Sequence, residues 1–318
     1  MPFVSQSSGY LQNTITEIRK LADSPRLRVK YTDSELLAKI SEGFQEVIRD
    51  LYNSATKKPM SRVDITLVSG TEYYAIPPTV GEIRRIVQFQ SDGITIQDEF
   101  RPRHFYHLMG PGIQIDSNHR IWVPSKNVDG TFTLFYYPTG DFIPYVGYVD
   151  KTTASTSGFT MKSASPYSVL GEIDRRSNAY VGGLVRLLQH QTAAQLPSGA
   201  TQFPINERAI QTYSNYTGAI TVKPVFDFDP STLTDTSDAH LLYEVVPADS
   251  AYLWPCVARY VARTLCLTDG KRAKAGGLQR LYDEAKRSIT LQWMNMQTRM
   301  PQVFETEVTD DFQHMAIY

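Results

Sequence analysis

The stretch Thr32-Asp33-Ser34-Glu35-Leu36-Leu37-Ala38-Lys39-Ile40-Ser41-Glu42-Gly43-Phe44-Gln45-Glu46-Val47-Ile48-Arg49-Asp50-Leu51 reads as an amphipathic helix that carries its own start signal. Thr32-Asp33-Ser34-Glu35 is a capping box: the Thr32 hydroxyl takes an orphan backbone N–H, Glu35 reaches back to the cap, and the helix dipole favours the acids. Behind it, Leu36, Leu37, Ile40, Phe44, Val47, Ile48 and Leu51 fall on one face. Lys39, Glu42, Glu46, Arg49 and Asp50 fall mostly on the other. Upstream, Leu11, Ile15, Ile18 and Leu21 recur at helical spacing until Asp23-Ser24-Pro25 breaks the pattern. Leu11 to Asn53 is therefore a helical hairpin, and Asp249 to Thr298 reads as a second one at the other end of the chain.

Two amphipathic pairs so far apart in sequence are expected to close on each other. Leu36, Ile40, Phe44, Val257, Val261, Leu278, Leu281 and Ile289 would form their shared core. The fold class expected is α+β: a helical bundle formed by N- and C-terminal helix pairs, with inserted antiparallel β modules and an extended C-terminal tail. The parts would be 1–60 and 247–299 for the bundle, 61–146 and 147–246 for the two β modules, and 300–318 for an acidic tail.

From Arg62 the hydrophobic period changes from helical to alternating. Val63 to Val68 is a strand, Ser69-Gly70-Thr71-Glu72 a turn, and Tyr73 to Ile76 a returning strand stopped by Pro77-Pro78. Strands are expected at Ile83 to Gln90, Ile94 to Gln97, Ile113 to Ile115, Arg120 to Val123 and Thr131 to Tyr137, which suits a small sandwich or barrel. In the second module, Tyr180 to Leu187 and Glu207 to Tyr213 flank a polar excursion from His190 to Asn206, and Ala219 to Phe226 follows Asn215-Tyr216-Thr217-Gly218.

With 42% apolar and 20% charged residues, the 318-residue chain has the composition of a globular protein with a substantial core. A net charge of −1 conceals an asymmetry. The last helical region is rich in cations, among them Arg259, Arg263, Lys271, Arg272 and Lys274, whereas Glu305, Glu307, Asp310 and Asp311 face no Lys or Arg beyond Met300. Such a tail suits docking on a basic surface. Met1-Pro2-Phe3 opens without a basic region followed by an apolar run, and no stretch approaches eighteen apolar residues, so a cytosolic chain without a membrane span is expected. Cys256 and Cys266 fit neither a disulfide framework nor a zinc site and read as buried thiols.

The motifs that carry chemistry are thin. His104 and His107 could share a helical face, but no nearby third ligand completes a metal site. Gly110-Pro111-Gly112, Gly182-Gly183 and Gly276-Gly277 lack the context of a phosphate loop, and no nucleophile elbow is present. The expectation is a protein that is not an enzyme and uses no metal or cofactor.

Taken together, the order of parts resembles the head-to-tail connector (adaptor or neck) proteins of tailed bacteriophages. These have an opening helix ending at a D-P-like break, a second helix announced by a W/Y-T/S-D-x-E-L-L-like start, and a G-T-x-x-Y-x-x-P segment. The matching residues are Asp23-Ser24-Pro25, Tyr31-Thr32-Asp33-Ser34-Glu35-Leu36-Leu37, and Gly70-Thr71-Glu72-Tyr73-Tyr74-Ala75-Ile76-Pro77. The second module is similar to a β insert of phage structural proteins through Tyr180-Val181-Gly182-Gly183, Arg208 to Tyr213, and Tyr216-Thr217-Gly218-Ala219. Many adaptors are shorter, so a stopper or tail-nozzle role stays open.

The resemblance implies a virion protein of the neck or tail, made in the host cytoplasm and forming a homo-oligomeric ring, commonly twelvefold. That ring would sit beneath the portal protein, meet a tail or nozzle protein, and pass genomic DNA through its channel. Arg259, Arg263, Lys271, Arg272 and Lys274 would then be candidate channel cations in transient contact with DNA. Phe304, Glu305, Glu307, Asp310, Asp311, Phe312 and Tyr318 would dock on the portal or an adjacent copy. Before assembly a monomer or loose oligomer is expected. Two other readings stay open: a β-rich receptor- or glycan-binding tail protein, favoured by 19 tyrosines on turn-rich strands, and a virion-associated hydrolase.

Overall fold

The computed structural model describes residues 10–22, 31–54, 60–90, 94–100, 103–104, 114–115, 120–123, 129–188, 206–232, 239–248 and 250–299. Four α-helices lie within them: α1 (Tyr10–Leu21), α2 (Asp33–Ser54), α3 (Ser250–Thr268) and α4 (Arg272–Arg299). The capping box forms: the Thr32 N–H donates to Glu35 Oε2 at 2.7 Å and the Glu35 N–H to Thr32 Oγ1 at 3.2 Å. Those bonds hold the Glu35 carboxyl below its ordinary pKa. Helix α3 ends because Gly270 takes a positive φ of 73°. The Lys271 N–H then closes on the Cys266 carbonyl at 2.8 Å and the Gly270 N–H on that of Leu267 at 3.0 Å.

Fifteen strands form three sheets among the described residues. The first, in the order β1-β8-β3-β4, comprises β1 (Ser61–Leu67), β8 (Gly130–Pro138), β3 (Val80–Phe89) and β4 (Ile96–Phe100). The largest has seven strands: β10 (Gly158–Thr160), β14 (Ala219–Lys223), β13 (Asn206–Tyr213), β12 (Leu184–Leu188), β15 (Ala239–Val246), β9 (Tyr145–Asp150) and β11 (Ser168–Leu170). It is antiparallel throughout and curled into a half-barrel. A small third sheet joins β2 (Tyr73–Ala75), β7 (Arg120–Trp122), β6 (Gln114–Ile115) and β5 (Arg103–His104).

This architecture corrects the expected fold class. The chain is a mixed structure organised on the seven-stranded sheet, and the helices do not make a bundle from which β modules project. The physical reason is in β15, where Leu241-Leu242-Tyr243-Glu244-Val245-Val246 is buried on both faces. Strand residues Leu242, Val246, Leu188, Val146 and Leu170 share one core cluster with all four helices. Leu241, Tyr243, Val245, Val185 and Val149 face the other way, into a second cluster with Val63, Ile86, Phe132 and Leu134 of the first sheet. A strand buried on both sides must be covered on both sides. The helices cover one face and the first sheet shares the other. Strand β9 runs straight through residues 146 and 147, where the sequence suggested a division between modules.

The expected hairpin of Val63–Val68 with Tyr73–Ile76 is a second correction. The turn forms, with the Thr71 N–H on the Val68 carbonyl at 3.0 Å, but β1 pairs with β8 and β2 with β7. Strand β8 offers β1 a partner in register along its whole length, from Ser61↔Tyr136 to Leu67↔Gly130. The three-residue β2 cannot match that.

Candidate functional site

The helical layer is where the sequence placed its functional residues, and its geometry can be built up from small residues. Gly43 lets α2 lie close on α3: a Cβ there would come within 2.9 Å of Val261 Cγ2 and 3.3 Å of Val257 Cγ1. The next residue, Phe44, meets Trp254 edge to face at a centroid distance of 4.7 Å. Leu36, Ile40, Phe44, Val257, Val261, Leu278 and Ile289 are buried in this cluster. Leu281 is not; it lies 39% exposed on the outer face of α4, because Leu278 and Tyr282 take the inward positions beside it.

Polar contacts fasten the layer. Tyr282 on α4 donates to Asp50 Oδ2 on α2 at 2.9 Å, and burial raises its phenol pKa. Arg19 of α1 pairs with Asp33 at the start of α2 at 2.5 Å. The N-terminus of α1 is capped from the sheet: the Leu11 N–H donates to Glu244 Oε2 at 3.2 Å. Glu244 is 1% exposed and lies 3.8 Å from Arg186, its cross-strand neighbour on β12. A carboxylate at a helix N-terminus offsets both orphan N–H groups and the dipole.

The five cations proposed for a channel differ in their surroundings. Arg259 donates through Nη1 to the Leu281 carbonyl at 3.1 Å, tying α3 to α4. Lys271 donates to the Ala22 carbonyl at 3.4 Å, where a cation complements the C-terminus of α1. Arg263 and Lys274 are half-buried, and Arg272 is exposed at the start of α4. The tail residues Phe304, Glu305, Glu307, Asp310, Asp311, Phe312 and Tyr318 lie outside the described residues, as do His107 and the side chain of His104. Cys256 and Cys266 are buried and form no disulfide, and burial pushes the Cys256 thiol up to about 11.

Sequence reasoning missed two polar networks on the sheet. In one, Arg176 Nη2 pairs with Asp174 at 2.7 Å and Arg176 Nη1 with Asp141 at 2.5 Å. The Asp174 N–H donates to Tyr180 Oη at 2.9 Å, and the Tyr213 hydroxyl donates to the Asp174 carbonyl. In the other, Asp150 is fully buried and receives Lys162 Nζ at 2.6 Å and Thr152 Oγ1 at 2.7 Å. Burial would raise that carboxyl, but the bonds from Lys162 and Thr152 together hold its pKa below the ordinary value. Both networks brace loops. The one clue in the sequence is the spacing of Asp150 before Thr152-Thr153.

A crevice of about 40 Å³ opens between α2, β8 and the start of α3, lined by Phe44, Ile48, Tyr136, Phe142 and Leu253 among others. Its walls are mostly apolar, with Thr79 and Tyr136 the hydroxyl-bearing residues of the lining. Among the described residues there is no group of three potential metal ligands, and no helix is long and apolar enough to cross a membrane. Compared with protein-family models, with curated proteins and with solved structures, the chain gives no match.

Proposed function

We propose that the chain is a structural ring subunit of a tailed-phage neck, a head-to-tail adaptor that sits beneath the portal and joins capsid to tail around a DNA channel. One observation carries the reading on the structural side: large apolar side chains are exposed on several unlike parts of the fold. Leu267, Leu281 and Leu291 lie on the helical layer, Val68, Tyr73, Ile94 and Ile96 on or beside the smaller sheets, and Tyr216 and Val225 at the two ends of β14 in the large sheet. A ring closed by head-to-tail contacts needs two dissimilar, complementary surfaces on every copy. Binding to the portal and to the tail or nozzle protein then falls to faces left over from that contact, and the acidic tail is the candidate for reaching the portal.

The sequence resemblance supports the neck assignment, and the half-barrel sheet supplies a rigid body on which such faces can be held. Deleting the chain from an infecting phage is expected to leave filled heads and separate tails in the lysate, restored to joined particles by the chain supplied in trans. Joined, infectious particles in its absence would refute the assignment.

A further inference from the structure

One face of the third sheet carries a row of large side chains. Tyr73 on β2 stands directly opposite Trp122 on β7, and Ala75 opposite Arg120, so alternation puts these four on one side of the sheet. Tyr74 and Ile121, the pair between them, turn the other way into the second core cluster. The Tyr73 and Trp122 rings are parallel to within 11° with centroids 6.5 Å apart, in the range of offset aromatic pairs. Ala75 is too small to fill the space beside Arg120, whose guanidinium lies 4.5 Å from the centroid of the Tyr73 ring. Tyr73 is 44% exposed, and Trp122 and Arg120 are half-buried. The row is held in place from several sides. The Trp122 Nε1–H donates to Glu72 Oε1 at 2.9 Å, which orients the indole, and the Val123 N–H donates to the Glu72 carbonyl at 2.8 Å. Asn178 donates through Nδ2 to the Ala75 carbonyl at 2.8 Å, and the Tyr74 hydroxyl donates to the Val68 carbonyl at 2.7 Å.

Aromatic surface fixed in one orientation loses little conformational entropy when a ligand covers it. A ligand suited to this row must offer flat apolar surface to the rings and hydrogen-bonding groups at their edges. Charge narrows the class further. Glu72 and Arg120 flank the ring pair with opposite signs, so a polyanion would meet a carboxylate at the indole edge. Hydroxyl groups suit both neighbours, since they donate to a carboxylate and accept from a guanidinium. A hexose combines these properties: one side of its ring presents C–H groups, which the negative face of an aromatic ring attracts, and hydroxyls border it. We propose that Tyr73 and Trp122 form a stacking platform for a neutral, hexose-based glycan, with Glu72 and Arg120 hydrogen-bonding its hydroxyls. This site adds a binding activity to the body and stands or falls independently of the neck assignment.

The test uses the full chain and hexaoses of glucose (α- and β-linked), galactose, mannose and N-acetylglucosamine as probes. Binding is read by saturation transfer to the sugar protons and by tryptophan fluorescence. Of the three tryptophans, Trp254 and Trp293 are buried, so Trp122 is the indole that a surface ligand can reach. At least one hexaose is expected to bind with a Kd of about 5 mM or tighter. Tyr73→Ala should weaken that binding about tenfold with an unchanged circular-dichroism melt, because the side chain is largely exposed, whereas Tyr73→Phe should stay within about twofold of the parent. Trp122→Phe keeps a ring and should retain saturation transfer while losing the fluorescence response. No hexaose bound by the parent chain would overturn the proposal. So would equal binding by Tyr73→Ala, or a fluorescence response that survives Trp122→Phe, which would put the sugar elsewhere. Single-stranded oligothymidylate that binds with steep salt dependence, weakened by the same Tyr73→Ala, would assign the platform to nucleic acid and overturn the glycan reading.

Discussion

Gly43 sits where α2 meets α3, and its missing side chain sets their spacing. Gly43→Val would push a branched side chain into Val261 and Val257 and is expected to cost about 2 kcal/mol by overpacking, read as a lower urea midpoint at unchanged slope. Glu244 tests the link between helix and sheet. Glu244→Ala removes the α1 cap and leaves Arg186 without its cross-strand carboxylate, with an expected loss of about 3 kcal/mol. Glu244→Gln keeps an acceptor for the Leu11 N–H and should lose less. Faster amide exchange in α1 would accompany the alanine variant if the cap works as described. Asp150 gives the pH dependence. Its folded pKa lies below the unfolded value, so its stabilisation is complete above about pH 4 and is lost as the pH falls through the folded pKa. Lys162→Met is expected to cost about 2 kcal/mol at pH 7, and the difference from the parent should shrink in melts below about pH 4. Of these three roles only the local Asp150–Thr152 contact left a trace in the sequence, because the rest depend on partners from other elements.

At the scale of elements, periodicity and caps were readable where the signal was local. The Thr32–Glu35 box, the stripe from Leu36 to Leu51 and the break after Leu21 locate α1 and α2 to within a residue or two. Strand existence was similarly plain for β1, β3, β8 and β13. Strand pairing was not, because a turn signal at Ser69–Thr71 says that the chain bends and not which neighbour it then finds. Helix α4 shows the same limit on facing. Leu278 and Leu281 are both apolar and three residues apart, yet only Leu278 points inward. Leu278→Ala is expected to cost about 2–4 kcal/mol in denaturant unfolding and Leu281→Ala less than about 1 kcal/mol. Equal losses would mean that the outer face of α4 is packed.

At the scale of the whole molecule, the closure of the two chain ends on each other was legible, but what they close upon was not. The run from Leu241 to Val246 is apolar on both strand faces except at Glu244, which is the signature of a central strand covered from both sides. Given that run, the second β region cannot be an outward module with one solvated face. The helical layer and the half-barrel share one core cluster, and exposed apolar side chains such as Leu281 and Leu291 of α4 lie on the outer face of that layer. The proposal that this body is a neck ring is tested most directly by imaging the purified chain mixed with the portal of the same phage. The account predicts a ring of density seated coaxially beneath the portal, with its central channel open. Portal particles unchanged in the presence of excess chain would contradict it.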